Sequence, residues 1–207
     1  MSSDTLIRGF DDSVHDSQQC FRQILRAMSE PGTQVQLCSP ATPEGLAPAS
    51  FALCQTLLDS DTRLWLSPEF DRPGIERNLR FHCGLSLTGQ REEAHFALAR
   101  QGELQTLEGF GRGSPEYPET GMTLLLEVSL EGPRSSHCLT LSGPGIDGER
   151  QIYVSGLTGP VLDELLNRQD SFPQGIDLML IDQHQLICIP RTTRVSSCLS
   201  TAATEVR

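Results

Sequence analysis

Few residues in this 207-residue chain have types and spacing that suit chemistry, and each such group also has a plainer reading. Gly109-Phe110-Gly111-Arg112-Gly113 has the glycine density of a phosphate-cradling loop. A dinucleotide fingerprint, however, needs GxGxxG between a strand and a helix. This stretch has GxGxG spacing, follows an expected helix over 103–110 and runs into prolines. It therefore reads as a helix terminus and loop. Pro115–Thr120 (PEYPET) sets Glu116 and Glu119 beside Tyr117. Paired carboxylates act as acid and base where their surroundings drive their pKa values apart. Two prolines make the same segment a stiff, exposed docking loop, which is the reading adopted. His82-Cys83 and His137-Cys138 look like halves of a metal site, yet neither has zinc spacing, and neighbours on a strand face opposite ways. Seven cysteines and five histidines allow many Cys–His pairings, so their number supports no particular nucleophile. The best anion candidate is Arg191-Thr192-Thr193-Arg194, where guanidinium forks beside hydroxyls suit phosphate or carboxylate. Its alternative is pairing with some of the 27 acidic residues. No residue is assigned as catalytic, cofactor-binding or metal-binding. Arg191, Arg194, Glu116 and Tyr117 are carried forward as anion or interface contacts.

The two arginines follow the most apolar part of the chain. Ile176–Ile181 suits a strand buried on both faces, Asp182–Gln185 can reverse the chain, and Leu186–Ile189 is a second apolar strand. Pro190 ends the ladder, because it has no amide proton. Upstream, Asp11–Asp16 offers N-caps, and Cys20, Phe21, Ile24, Leu25 and Met28 share one helical face that Pro31-Gly32 ends. Thr33–Cys38 alternates as a half-buried strand. Past a proline-rich loop, a helix near 50–58 turns Phe51, Cys54, Leu57 and Leu58 inward. Short strands are expected at 64–66, 85–87, 95–98, 122–130, 138–141 and 152–154, with helices at 73–81, 103–110 and 161–168. Helices and strands alternate early and hairpins dominate late, which predicts a three-layer α/β sandwich with a mixed sheet.

Composition excludes several functions. A net charge of −11 repels nucleic acid and anionic membranes. The positive charge is 16 arginines and no lysine. There is thus no Schiff base, lysine general base or P-loop lysine. The cysteines are odd in number and form no CxxC, Met1–Phe10 is polar, and no apolar run approaches a membrane span. The expectation is a cytoplasmic protein with reduced thiols. One domain over 1–198 and a disordered polar tail over 199–207 are expected.

Blocks spread along most of the chain resemble one family. FRQILRAMSEPGT (Phe21–Thr33) is similar to the opening signature of the PhnH family, and FPQGIDLMLI with LICIPRTTR (Phe172–Arg194) to its closing one. LLDSDTRLWLS, GSPEYPETGMTLLLEV and LSGPGI fall between them in order. Met122 departs from the smaller residue expected after Gly121. The resemblance implies a subunit of the bacterial carbon–phosphorus lyase core complex, and a fold like that of the pyridoxal-phosphate-dependent transferases but without the cofactor. It implies a non-catalytic or substrate-positioning role in making α-D-ribose 1-methylphosphonate 5-triphosphate from ATP and methylphosphonate, with release of adenine. Other core subunits are the implied partners, with a homodimer in isolation. The alternatives are a free-standing small-molecule enzyme and a pure scaffold.

Overall fold

A computed structural model describes residues 5–38, 40–130 and 137–198, so the tail expected to be disordered lies outside the described residues. The Asp12 carboxylate accepts from the N–H groups of Val14 and His15 at 3.2 and 3.0 Å and starts α1 (Ser13–Ser29). There follow β1 (Gln34–Gln36), α2 (Pro48–Leu57), β2 (Arg63–Leu66), α3 (Pro73–Cys83), β3 (Ser86–Leu87), β4 (Phe96–Arg100) and β5 (Thr123–Glu127). The second half contains β6 (His137–Ser142), β7 (Arg150–Val154), α4 (Gly159–Asn167), β8 (Asp177–Asp182), β9 (Gln185–Ile189) and β10 (Arg194–Ser197).

Seven strands make a mixed sheet in the order β1-β9-β8-β5-β4-β2-β3, in which β3, β2, β4, β5 and β8 run parallel. β9 returns antiparallel beside β8, and β1 pairs antiparallel with β9. Side-chain alternation along a strand sends neighbours to opposite faces, and the two cores divide accordingly. Leu98, Leu125, Met179, Ile181, Leu186 and Cys188 pack with the buried residues of α1, α2 and α3. Their neighbours Ala97, Leu124, Leu126, Leu178, Leu180, Ile187 and Ile189 pack with α4 and the small antiparallel sheet β10-β6-β7. Central strands buried on both faces explain why 176–181 and 186–189 are apolar without a break. The architecture is mixed α/β.

Four local expectations fail. No helix forms over 103–110: the Glu103 carboxylate turns back to accept from the N–H of Glu69 at 2.9 Å and of Arg100 at 3.0 Å. Leu104, Leu107 and Phe110 are still buried, at a spacing of three that imitates a helix. On α1 only Cys20, Ile24 and Ala27 are buried, while Phe21 and Leu25 are about half exposed, at 50% and 56%. β10 was not expected, because its residues RVSS carry a single apolar side chain.

The fourth is the expectation of reduced thiols. The structure joins Cys20 to Cys38 and Cys138 to Cys198 as disulfides, with Cα separations of 6.3 and 5.3 Å, and leaves Cys54, Cys83 and Cys188 free and buried. Tertiary placement brings the pairs together. Helix α1 lies against β1, just beyond which Cys38 stands. The β6–β10 register pairs Leu139 with Ser197, which sets Cys198 opposite Cys138. Separations of 18 and 60 residues conceal both pairs from a search for short motifs.

Candidate functional site

The parallel strands present two ends. At the carboxyl end, Arg100 closes β4 directly opposite Glu127, which closes β5. A carboxylate here reaches the start of α2, whose N-cap, Ala47, has no side-chain acceptor of its own. One Glu127 oxygen accepts from the Ala47 N–H at 2.8 Å and from the Ser50 hydroxyl at 2.7 Å. The free amides and positive dipole end of α2, where an anion would otherwise bind, are thus occupied from within. Arg100 donates to Glu69 at 2.6 Å, to the Gly45 carbonyl and to Glu127 at 3.5 Å, and its guanidinium lies 4.9 Å from the centre of the Phe70 ring. Burial pushes the Glu127 carboxyl above its usual range against the lowering pull of the Ala47 N–H, Ser50 and Arg100. Ser67 donates to Glu103 in the same network.

At the amino end, Arg191 follows β9. Its backbone N–H donates to Asp177 Oδ1 at 2.7 Å, Nε donates to both Asp177 oxygens at 3.2 and 3.1 Å, and Nη2 donates to Oδ2 at 2.5 Å. Nη1 donates to the Pro118 carbonyl. The expected anion contact is therefore a half-buried internal fork, and it holds the expected docking loop. Gly121 permits this approach. A Cβ there would stand 2.5 Å from Arg191 Nη1 and 2.6 Å from the Gly175 carbonyl oxygen. Beyond the clamp, Glu116, Tyr117 and Glu119 face solvent, and Tyr117 is 64% exposed. Neither acid is buried. Arg194 is exposed on β10, outside this cluster.

The glycine loop belongs to the same end. Gly111 and Arg112 give their carbonyls to the N–H groups of Met122 at 2.8 Å and Gly175 at 2.9 Å. Arg112 reaches α4 and pairs with Glu164 at 2.6 Å. One turn further on, buried Arg168 donates to the carbonyls of Ile189 at 3.2 Å, Pro190 at 2.8 Å and Ile176 at 2.9 Å. Burial pulls its pKa down to about 10, although Glu164 and Asp177 act the other way. A cavity of about 660 Å³ opens between residues 106–112 and α4. Sequence reading passed over Glu164 and Arg168. The available signal was their position: in a helix with Val161 and Leu165 inward, both fall on the inward face.

The histidine–cysteine groupings do not converge. His82 donates from Nε2 to the Ile7 carbonyl at 2.7 Å, and Cys138 is in a disulfide. Burial raises the thiols of Cys54 and Cys188 and pushes that of Cys83 up to about 12, the reverse of what a nucleophile needs. Among the described residues no group of three or more His, Cys, Asp or Glu is placed to hold a metal ion, and no helix is long and apolar enough to cross a membrane.

Comparison with known proteins agrees with the sequence blocks. Residues 8–196 match the family model described as bacterial phosphonate metabolism protein (PhnH). A relative from Rhizobium meliloti (strain 1021), named alpha-D-ribose 1-methylphosphonate 5-triphosphate synthase subunit PhnH, is 35% identical over 189 residues, 90% of this chain and 93% of its own. The putative C-P lyase subunit protein HtxG of Stutzerimonas stutzeri is 33% identical over 188 residues, 86% of this chain and 85% of its own. With nearly the whole chain aligned to both, the protein belongs to the PhnH family.

Proposed function

We propose that this chain is a substrate-positioning or structural subunit of the carbon–phosphorus lyase core complex. In that role it supports formation of α-D-ribose 1-methylphosphonate 5-triphosphate from ATP and methylphosphonate, with release of adenine, and partner subunits carry out the glycosyl transfer. The observation that carries the reading is the 35% identity, over nearly the full length of both chains, to a relative named as a subunit of that synthase. The site geometry agrees with it. The carboxyl end is occupied by its own side chains, and the free cysteines are buried with raised pKa values. The surface feature suited to a partner is the loop carrying Glu116 and Tyr117, held rigid from behind by Arg191. Tyrosine on a stiff loop supplies contact area at low entropic cost. Arg194 is a further exposed contact of the same kind.

Two properties accompany the reading by family analogy: a homodimer in isolation, and a fold related to the pyridoxal-phosphate-dependent transferases without the cofactor. The test is native mass spectrometry of the chain alone and co-expressed with the other core subunits, each preparation assayed for adenine release from ATP and methylphosphonate. A hetero-complex whose activity requires the partners is the expected result. Failure to associate overturns the subunit reading, and activity from the isolated chain favours a free-standing enzyme.

A further inference from the structure

A cavity of about 400 Å³ opens where α1 lies against the end of β1, and both cysteines of the Cys20–Cys38 disulfide line it. The two are not equally covered. Cys20 is 1% exposed on the inward face of α1, whereas Cys38, just beyond β1, is half-buried. Exchange of a disulfide requires a thiolate to reach one of the joined sulfurs, so access selects Cys38. The rest of the wall suits an anion. Gln19, Arg22 and Gln23 share one face of α1 at i, i+3 and i+4, and Gln36 adds a third carboxamide from β1. No carboxylate lines the cavity, although the chain carries a net charge of −11. Asp16, a turn before Cys20, accepts from the Asp12 N–H at 3.0 Å. Arg26, a turn beyond Arg22, pairs with Glu30 at 3.5 Å, while Arg22 itself is exposed and has no ion pair among the described residues. A guanidinium without a carboxylate therefore stands beside a disulfide that opens to a cavity large enough for a small peptide.

We infer that this cavity is a thiol–disulfide exchange site for a small carboxylate-bearing thiol, with Cys38 as the sulfur attacked. Arg22 pairs with the carboxylate of the incoming thiol, and the glutamine amides bond its peptide groups. The thiolate attacks Cys38 Sγ. A bond forms between the two sulfurs as the Cys20–Cys38 bond breaks, and Cys20 leaves as a thiolate that takes up a proton from water. A second thiolate attacking the small molecule's sulfur releases it as a symmetric disulfide and leaves Cys20 and Cys38 both reduced. The two electrons come from the two thiols. The inference goes beyond the subunit reading and does not depend on it, because the exchange is read on the chain itself.

The test follows opening of the Cys20–Cys38 bond in the full chain, purified without reductant, by acid quench, alkylation and peptide mass mapping. The thiols are glutathione, which carries carboxylates, and 2-mercaptoethanol, which carries none. Glutathione should be trapped as a mixed disulfide on Cys38, with Cys20 recovered as the alkylated thiol. Arg22→Gln, at an exposed position, should slow opening by glutathione roughly fivefold and leave opening by 2-mercaptoethanol within about twofold. A purely structural role for Arg22 would change both rates together. The inference is overturned if Cys20 and Cys38 are not joined in the purified chain, or if the folded protein's bond resists glutathione. It is equally overturned by an adduct on Cys20, or by Arg22→Gln leaving the ratio of the two rates unchanged.

Discussion

The carboxyl and amino ends of the parallel strands use the same residue types to opposite effect. At the carboxyl end, where open α/β sheets usually bind ligands, Glu127 caps α2 and Arg100 is shared among Glu69, Gly45 and Glu127. Charge has been used there to close the structure. At the amino end, Arg191 is closed on Asp177 but projects a loop, and Glu164 and Arg168 keep one unmatched atom each beside a cavity. Burying a charge commits the fold to matching it. Matched charges stiffen the end that holds them. In this chain the usual binding end is closed on itself, and the opposite end carries the exposed loop and the cavity.

Breaking that contrast should cost most at Arg168. Arg168→Met removes the donors to three carbonyls, and a loss of roughly 3 kcal/mol in denaturant unfolding is expected. A loss under ~1 kcal/mol would mean that those carbonyls find other partners. Arg191→Met should cost about 2 kcal/mol and speed amide exchange over 113–121, with the Arg100 network unaffected. Equal acceleration at both ends would contradict their independence.

At the closed end, Glu127→Gln keeps an acceptor for α2 and removes a charge that burial disfavours, and should change stability by less than about 1 kcal/mol at neutral pH. Its pH signature sharpens the comparison. Burial raises the folded-state pKa of Glu127 above its ordinary 4.5, so the folded chain retains a proton that the unfolded chain has released. This group's contribution therefore declines as pH rises through the window above 4.5 and is regained on acidification into it. Wild type minus Glu127→Gln should show that slope; a difference independent of pH would refute it. Smallest in stability is Tyr117→Ala, within ~0.5 kcal/mol, because the ring is exposed. Its expected effect is on assembly, a loss of roughly tenfold in affinity for the partner subunits. Unchanged assembly would remove the loop from the interface.

Much of the frame was legible in the sequence. The runs at 176–181 and 186–189 are apolar on both faces because each strand has a core on either side, and the structure pairs them as β8 and β9. The α1 helix was recognised but its packing was overread: Phe21 and Leu25 follow helical spacing, yet the stripe facing the sheet is narrower than that pattern. The helix expected at 103–110 failed because burial every third residue does not distinguish a helix from a chain pinned by Glu103. Arg191 and PEYPET were singled out separately, and nothing in a linear reading puts them in contact. Glu164 and Arg168 were visible as polar residues on an inward helical face, a signal that the apolar pattern hid.

By itself the sequence determined what is local or cumulative: the buried strands, the helix stops, the acidity, the absence of lysine, and the family carried by blocks in register. The tertiary structure decided what depends on long-range approach. It joined Cys20 to Cys38 and Cys138 to Cys198, closed Arg191 on Asp177, and set Glu127 at the head of α2. The reason is physical. Periodicity records which side of an element meets the core, whereas a pairing between charges or thiols depends on where two distant elements come to lie.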